Sequence, residues 1–238
     1  MSDIKAEWLD QLSKIRNELD HGDKATQEQL DTIAEEWKDR RHRLRKREKD
    51  EEFELVNSGG TPRDLHAPRW LCHLLGLRHK CAHVMVRWTT PGLGRLLVLQ
   101  VRSWSKSDAP GHVDISVGGH VVGKTESEQI AYSEMEEELG ITPHDLVGGK
   151  LLRRDGYHNK PDERPSENFY NVEWRDIYLA DLIPSRIDNL RFSDEEVVGL
   201  YLCPELEARN LFGQKQVPIA SALRQYLEKF ALPSSNEA

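Results

Sequence analysis

The stretch GGHVVGKTESEQIAYSEMEEELGI, residues 118–141, narrows the fold and function more than any other part of the sequence. Its second half is rich in glutamate, and glycines stand near both ends. Thr125 and Glu128 have the spacing of a capping box at a helix start. Gly140 stands where a glycine commonly ends a helix. The pattern therefore predicts a helix over residues 126–138 that Gly140 terminates.

The predicted helix has two chemically different faces, because residues three and four apart lie on the same side. One face is apolar and consists of Tyr132, Met135 and Leu139. The other carries three glutamates, Glu134, Glu137 and Glu138. Like charges at this spacing repel, and carboxylates near a helix C-terminus oppose the helix dipole. Mg²⁺ would offset both penalties, since it prefers oxygen ligands. The residues alone leave two interpretations open, a metal site and a solvated acidic face.

Composition limits the class of protein. The chain has 238 residues and a formal net charge of -8, with 37% hydrophobic residues. This length suits one domain with an appendage or two small domains. The negative charge gives no general reason to expect a nucleic-acid partner. A basic run at residues 38–52 contains no aromatic residue, and we interpret it as an exposed helix with i,i+4 ion pairs.

Cysteine content and hydropathy predict a cytoplasmic location. The three cysteines, Cys72, Cys81 and Cys203, include no CxxC pair, and an odd number does not suit a disulfide framework. No apolar stretch approaches the roughly 20 residues that cross a bilayer, so we expect no membrane association.

Residues 1–56 are predicted to form an N-terminal helical hairpin. The apolar residues of its first helix are Ile4, Trp8, Leu12, Ile15 and Leu19. Those of its second helix, which Thr26 can cap, are Leu30, Ile33, Trp37 and Leu44. We expect the second helix to end near Glu52 and residues 57–64 to form a linker. Two short amphipathic helices cannot bury both stripes alone, so they must dock on the main domain or form a homodimer.

Residues 66–232 differ from the N-terminal region in composition. Apolar, β-branched segments such as CAHVMVRW (81–88) and GRLLVLQVRS (94–103) predict strands joined by short turns. Helical patterns alternate with these strands without a strict βαβ period. The expected fold class is therefore α/β, with a mixed sheet covered by helices on both faces.

The 118–141 stretch resembles the Nudix box, G-x5-E-x7-R-E-U-x-E-E-x-G-U, in which U is aliphatic. The positions that match are Gly119, Glu134, Met135, Glu137, Glu138, Gly140 and Ile141. Two positions depart from the pattern, because Thr125 replaces the first glutamate and Ser133 replaces the arginine that helps to orient the glutamates. The resemblance implies an α/β/α sandwich over residues 66–232. It also implies catalytic and Mg²⁺-binding roles, with Mn²⁺ as a substitute, for Glu134, Glu137 and Glu138, and substrate contact by Gly119.

Upstream residues are similar to the Nudix branch that contains isopentenyl-diphosphate isomerases and related hydrolases. The matching positions are Gln100, Arg102, Lys106, Pro110, Gly111, Asp114 and His120. The resemblance implies that Arg102 and Lys106 bind the diphosphate. It also implies a mixed metal site in which His79, His83 and His120 join the glutamates of the acidic helix. Gly118 stands where those isomerases carry their catalytic cysteine, so isomerase activity is not expected.

The function expected from the sequence is Mg²⁺-dependent hydrolysis of a diphosphate linkage in a small molecule, such as a nucleoside diphosphate joined to another moiety. The alternative is a catalytically weak Nudix-fold module that binds diphosphates or regulates another process. RNA processing assisted by the basic residues 40–47 is a third interpretation. Loop acids such as Glu163 and Glu167 are further candidates for the base.

Overall fold

The computed structural model describes residues 2–44, 50–106, 108–192, 195–213 and 217–230. The chain divides into two compact units. The first unit comprises residues 1–81, 120–125 and 156–175, and the second comprises residues 82–119, 126–155 and 176–238. The four strands His79–Thr90, Val117–His120, Leu152–His158 and Glu173–Leu182 each contribute residues to both units.

Three helices open the first unit: α1 (Ser2–Leu19), α2 (Gln27–Trp37) and α3 (Arg41–Leu44). Thr26 caps α2 in a capping box with Gln29, as the sequence predicts. The helix ends at Trp37 rather than near Glu52, because residues 38–43 are all charged or histidine and offer no apolar side chain to continue the buried stripe. Residues 45–49 of the basic run lie outside the described residues.

Several apolar residues of these helices are buried inside the first unit. Leu12, Leu30 and Trp37 lie in one cluster with side chains of β1 (Glu52–Val56) and α4 (Arg69–Leu75). Strand β1 pairs antiparallel with β2 (Pro62–Pro68), so part of the expected 57–64 linker is a strand. The turn formers make a tight hairpin here, because Asn57 Oδ1 accepts hydrogen bonds from the amides of Gly59 and Thr61 at 2.8 and 3.1 Å.

The remaining strands of the first unit include the start of β3 (His79–Thr90), whose His79 pairs with Leu55 of β1. Strands β8 (Asp162–Arg164) and β9 (Phe169–Asn171) form an antiparallel pair. This pair lies in a segment whose polar sequence indicates only a loop.

The second unit has an antiparallel order of β11 (Val197–Pro204), β4 (Gly94–Arg102) and β3. Strand β4 also pairs with β5 (Val113–Asp114). Strand β3 pairs with β6 (Val117–His120) and β10 (Glu173–Leu182), and β10 pairs with β7 (Leu152–His158).

Three helices accompany these strands: α5 (Ser127–Leu139), α6 (Ala208–Gly213) and α7 (Ser221–Lys229). Met135 and Leu139 of α5 are buried with Val84 and Val98 in the core of the second unit. The antiparallel ladders are accompanied by isolated parallel bridges, such as Val113 with Ile219. The α/β class with a mixed sheet is confirmed. The predicted limit at residue 232 lies outside the described residues.

No helix within the described ranges is long and apolar enough to cross a membrane. The three cysteines are free and buried.

Candidate active site

The start of α5 is fixed by a side chain of β10. The N-cap residue is Glu126, and its side chain makes no capping hydrogen bond. Instead, Ser127 Oγ donates to Asp176 Oδ2 at 2.6 Å. The predicted capping box of Thr125 and Glu128 is wrong, because the helix starts one residue later than that pattern requires.

The end of α5 follows the sequence prediction. Gly140 adopts a left-handed conformation with φ 67° and donates its N–H to the carbonyl of Glu136 at 3.0 Å. The N–H of Ile141 bonds to the carbonyl of Met135, also at 3.0 Å. This termination stabilises the last turn of the helix, which carries Glu137 and Glu138.

The three glutamates of α5 that are predicted to bind the metal differ in their surroundings. Glu138 is buried, with 3% of its surface exposed, whereas Glu134 is half-buried and Glu137 is exposed. Glu134 lies against the backbone of Gly119, since a Cβ placed on that glycine would be 2.3 Å from Glu134 Oε1. The helix therefore presents one enclosed, one partly enclosed and one open carboxylate on the same face.

Gln100 of β4 holds the buried carboxylate. Its Nε2 donates to Glu138 Oε2 at 3.0 Å and to the carbonyl of Ser116 at 3.3 Å. Two acceptors facing the same atom fix the orientation of the amide. Gln100 itself is 2% exposed and pairs with Asp114 across the β4–β5 ladder. The strand register thus places a hydrogen-bond donor against Glu138.

The two predicted diphosphate-binding cations are each paired with a carboxylate. Arg102 Nη1 lies 3.0 Å from Asp114 Oδ2, and its Nε donates to the carbonyl of Asp108 at 3.0 Å. Lys106 Nζ pairs with Glu196 Oε2. Phosphate binding by either cation would require it to share or exchange this partner.

The first unit holds a separate group that could bind a metal ion. His79, Cys81, His120 and Glu173 each offer one ligand atom, and these atoms lie within 4.8 Å of one another. Two imidazoles, one thiol and one carboxylate are a donor set for a borderline metal such as Zn²⁺ rather than for Mg²⁺.

Burial shifts the pKa values in this four-residue group. Burial, followed by the positive charge of Arg69, lowers the pKa of His120 well below its ordinary value. The imidazole is therefore neutral at pH 7, the form that binds metals. Burial and the negative charge of Glu173 raise the pKa of Cys81, so a metal would have to displace its proton.

Glu173 is held by hydrogen bonds from neighbours in the same unit. Asn171 Nδ2 donates to its Oε1 at 2.7 Å, and Arg175 Nε donates to its Oε2 at 2.7 Å. The His120 Nε2 atom lies 3.7 Å from Glu173 Oε1. This carboxylate is therefore oriented before any metal arrives.

The chain resembles known proteins in sequence and in fold. No family model matches the chain. Over 174 residues the chain is 29% identical to Nudix hydrolase 3 of Arabidopsis thaliana, which covers 70% of this chain and 21% of that protein. The chain thus spans about a fifth of the length of this curated relative. The solved structure of DR0079 from Deinococcus radiodurans has a TM-score of 0.56 at 16% identity and covers 75% of this chain and 98% of its own.

The chain is thus similar in sequence to a Nudix hydrolase. A MutT protein from Methanosarcina mazei shows a weaker likeness, with a TM-score of 0.46 at 16% identity over 65% of this chain and 93% of its own.

The predicted Nudix site residues all lie in the second unit. They are Gly119, Glu134, Glu137, Glu138, Arg102 and Lys106. In the structure, Gly119 lies against the Glu134 side chain. Gln100 donates a hydrogen bond to Glu138, and its strand pairs with β5. Strand β5 carries Asp114, the ion-pair partner of Arg102. The catalytic, metal-binding and substrate-binding roles of these residues stay predictions.

The histidines of the isomerase-like pattern separate into two places. His79 and His120 lie together in the first unit, whereas His83 belongs to the second. Sequence reasoning missed Cys81 and Glu173 as members of the group. Alternation along β3 places Cys81 on the same face as His79, which is a usable signal. Glu173 has no comparable local signal.

The loop acids proposed as bases lie in the first unit. Glu163 pairs with Tyr170 across the β8–β9 ladder, and Glu167 bonds to Arg164 Nη1 at 3.2 Å.

Proposed function

We propose that the chain is a Mg²⁺-dependent Nudix hydrolase that cleaves a diphosphate linkage in a small molecule, such as a nucleoside diphosphate joined to another moiety. The observation that supports this most is the buried Glu138 carboxylate, which Gln100 holds on the helix face that also carries Glu134 and Glu137. Three carboxylates on one helix face are oxygen ligands, which a hard cation such as Mg²⁺ prefers. Mn²⁺ is an expected substitute.

In this proposal Glu134, Glu137 and Glu138 hold the ion. When bound, Mg²⁺ supplies Lewis-acid stabilisation of the charge that develops on the phosphoryl oxygens. A carboxylate of the same three accepts a proton from the attacking water. The water oxygen forms a bond to phosphorus, the bridging P–O bond breaks, and its electron pair leaves with the departing phosphate group. Arg102 and Lys106 neutralise the non-bridging oxygens.

The test is the formation of phosphomonoester products, separated by chromatography, from a panel of substrates, with Mg²⁺ and with EDTA. The panel contains ADP-ribose, a dinucleotide, a sugar nucleotide, a coenzyme and a prenyl diphosphate. We expect Mg²⁺-dependent turnover that falls about 100-fold in Glu137→Gln. Glu136→Gln is the matched control, because this exposed neighbour lies outside the i, i+3, i+4 set. Equal losses in the two variants, or turnover in EDTA, would contradict the proposal.

A second candidate is a Nudix-fold module that binds diphosphates with little catalysis. Two observations favour it: Ser133 is exposed and supplies no cation to the glutamates, and Arg102 and Lys106 are already paired with carboxylates. This candidate predicts calorimetric binding of ADP without turnover of any panel member. It also predicts that Ser133→Arg does not restore hydrolysis.

We further propose that the His79–Cys81–His120–Glu173 group holds a second divalent ion, which is Zn²⁺-like in its preference. The support is the closeness of the four ligand atoms, together with the resemblance to the isomerase branch.

The proposal also covers the domain limits, the cellular location and the oligomeric state of the chain. We propose that residues 66–232 form the Nudix domain and that residues 1–56 form an N-terminal appendage in which helices α1, α2 and α3 precede strand β1, with a cytoplasmic location and no nucleic-acid partner. A homodimer through the N-terminal helices would have to use their exposed faces, because Leu12, Leu30 and Trp37 are buried within the first unit. Light scattering coupled to gel filtration tests this assembly.

A further inference from the structure

Trp104 is the most exposed large hydrophobic residue in the described part of the chain, at 77%. It stands two residues after Arg102 and two before Lys106, the pair proposed to bind the diphosphate. An indole left in water forgoes the favourable free energy that burial of its apolar surface would bring. A single exposed aromatic needs no explanation by itself. The way in which this ring is supported is more informative.

One face of the indole rests on Gly111. A Cβ placed on that glycine would lie 2.4, 2.6 and 2.7 Å from Trp104 Cη2, Cζ3 and Cζ2. These three distances are nearly equal, which is the pattern of a point above the ring face. A point in the ring plane would be much farther from the two outer atoms than from Cη2. The opposite face of the ring is therefore the one that the 77% exposure leaves open.

Backbone hydrogen bonds order the segment that carries the ring. The N–H of Gly111, which has φ +70°, bonds to the carbonyl of Arg102 at 3.1 Å. The N–H of Lys106 bonds to the carbonyl of Ser103 at 3.2 Å, and the N–H of Ser103 bonds to the carbonyl of Glu196 at 2.8 Å. The turn is thus tied to the ends of β4 and β11. An aromatic ring on a supported turn loses little conformational freedom when it binds a ligand.

We propose that Trp104 determines specificity by stacking its open face on an aromatic ring, such as a nucleobase, of the diphosphate substrate. The assignment rests on the proposed function. Trp104 lies two residues from each cation, on the turn that the bond from the Lys106 N–H to the Ser103 carbonyl closes. Stacking is tolerant of base identity, so the residue would select for an aromatic ring rather than for one base.

The test compares two substrates of different chemistry in wild type, Trp104→Ala and Trp104→Phe. The measured quantity is the ratio of kcat/KM for ADP-ribose to kcat/KM for geranyl diphosphate, which has no aromatic ring. We expect Trp104→Ala to lower this ratio about tenfold and Trp104→Phe to retain most of it, because phenylalanine keeps a stacking face. Phe192→Ala, which removes another exposed aromatic side chain, is the control and should keep the wild-type ratio.

A binding measurement separates this assignment from the proposed hydrolysis. ADP affinity is measured by calorimetry in the Glu137→Gln background, with and without Trp104→Ala. Absence of turnover in every wild-type assay would contradict the proposed hydrolase, yet a Trp104-dependent ADP affinity would still support stacking. An unchanged substrate ratio or an unchanged ADP affinity in Trp104→Ala would overturn the assignment and leave the indole to a macromolecular contact.

Discussion

The Glu134 side chain occupies the space beside Gly119 where any other residue would place its Cβ, because that atom would lie 2.3 Å from Glu134 Oε1 and 2.4 Å from its Cγ. Gly119 has no left-handed φ, so glycine is required here for space rather than for backbone freedom. The glycine on β6 and the glutamate on α5 therefore fit together as one feature of the proposed Mg²⁺ site.

Gly119→Ala should displace Glu134 while leaving the fold intact, because the flexible glutamate side chain can move away. We expect kcat/KM with Mg²⁺ to fall about 10- to 100-fold. Gly199→Ala is the control, since a Cβ there meets no atom within 4 Å and the backbone is not left-handed. Thermal melts of both variants check the fold. Wild-type activity in Gly119→Ala would refute the role of this contact.

Gln100→Met should weaken metal binding, because Glu138 loses the amide that donates to it at 3.0 Å, while the volume at the buried position is kept. We expect the dissociation constant for Mn²⁺, followed by the loss of the free-ion paramagnetic resonance signal, to rise about tenfold. Gln129→Met makes the same change at an exposed position of α5 and should bind Mn²⁺ like wild type. A variant that loses thermal stability without any change in Mn²⁺ affinity would mean that Gln100 is structural only.

Tyr178 should make stability fall at high pH. Burial raises its pKa above the ordinary value of 10.0, and the charge of Asp176 adds to the increase. Above pH 10 the unfolded chain therefore ionises this phenol first, and the folded state binds more protons. The free energy of unfolding then decreases with rising pH until the folded phenol also ionises.

Denaturant unfolding of wild type and Tyr178→Phe between pH 8 and pH 11 measures this effect. The variant should show a flatter decrease above pH 10, and about 1 kcal/mol less stability at neutral pH from loss of the bond to Ser127. Identical slopes in the two proteins would show that Tyr178 does not contribute.

Metal binding by the four-residue group of the first unit can be followed with Co²⁺. Coordination by the Cys81 thiolate should produce a sulfur-to-metal charge-transfer band and release protons, because burial keeps the free thiol protonated. Cys81→Ala should abolish the band, whereas Cys203→Ala should retain it, since Cys203 lies outside the group. A band that persists in Cys81→Ala would place the ion elsewhere.

Local hydrogen bonding explains which helix limits the sequence predicts. Thr26 and Gly140 act on backbone groups within three or four residues, so their effects are visible in the chain order. Thr125 also has the sequence pattern of a helix N-cap, but it does not cap α5. Ser127 of α5 bonds instead to Asp176, which is distant in sequence. A tertiary contact decided that boundary.

The candidate site, like the helix limits, can be predicted from the sequence only where it depends on local patterns. The helical spacing of Glu134, Glu137 and Glu138 follows from one short segment. The contact of Gln100 with Glu138 depends on how β4 packs beside α5, and Glu173 joins His79 and His120 only through the folded first unit. Such contacts join residues that are distant in sequence, so helix and strand periodicity cannot reveal them.

Phe53 stacks on both imidazoles of the four-residue group, with centroid distances of 4.8 Å to His79 and 4.8 Å to His120 and interplanar angles of 25° and 5°. Protons held over a benzene ring are shielded by its ring current. The carbon-bound imidazole protons of both histidines should therefore resonate upfield of those of exposed histidines in a proton NMR spectrum. Phe53→Leu should return them towards ordinary shifts. The chemical shifts of these protons thus report the positions of the His79 and His120 rings relative to the Phe53 ring.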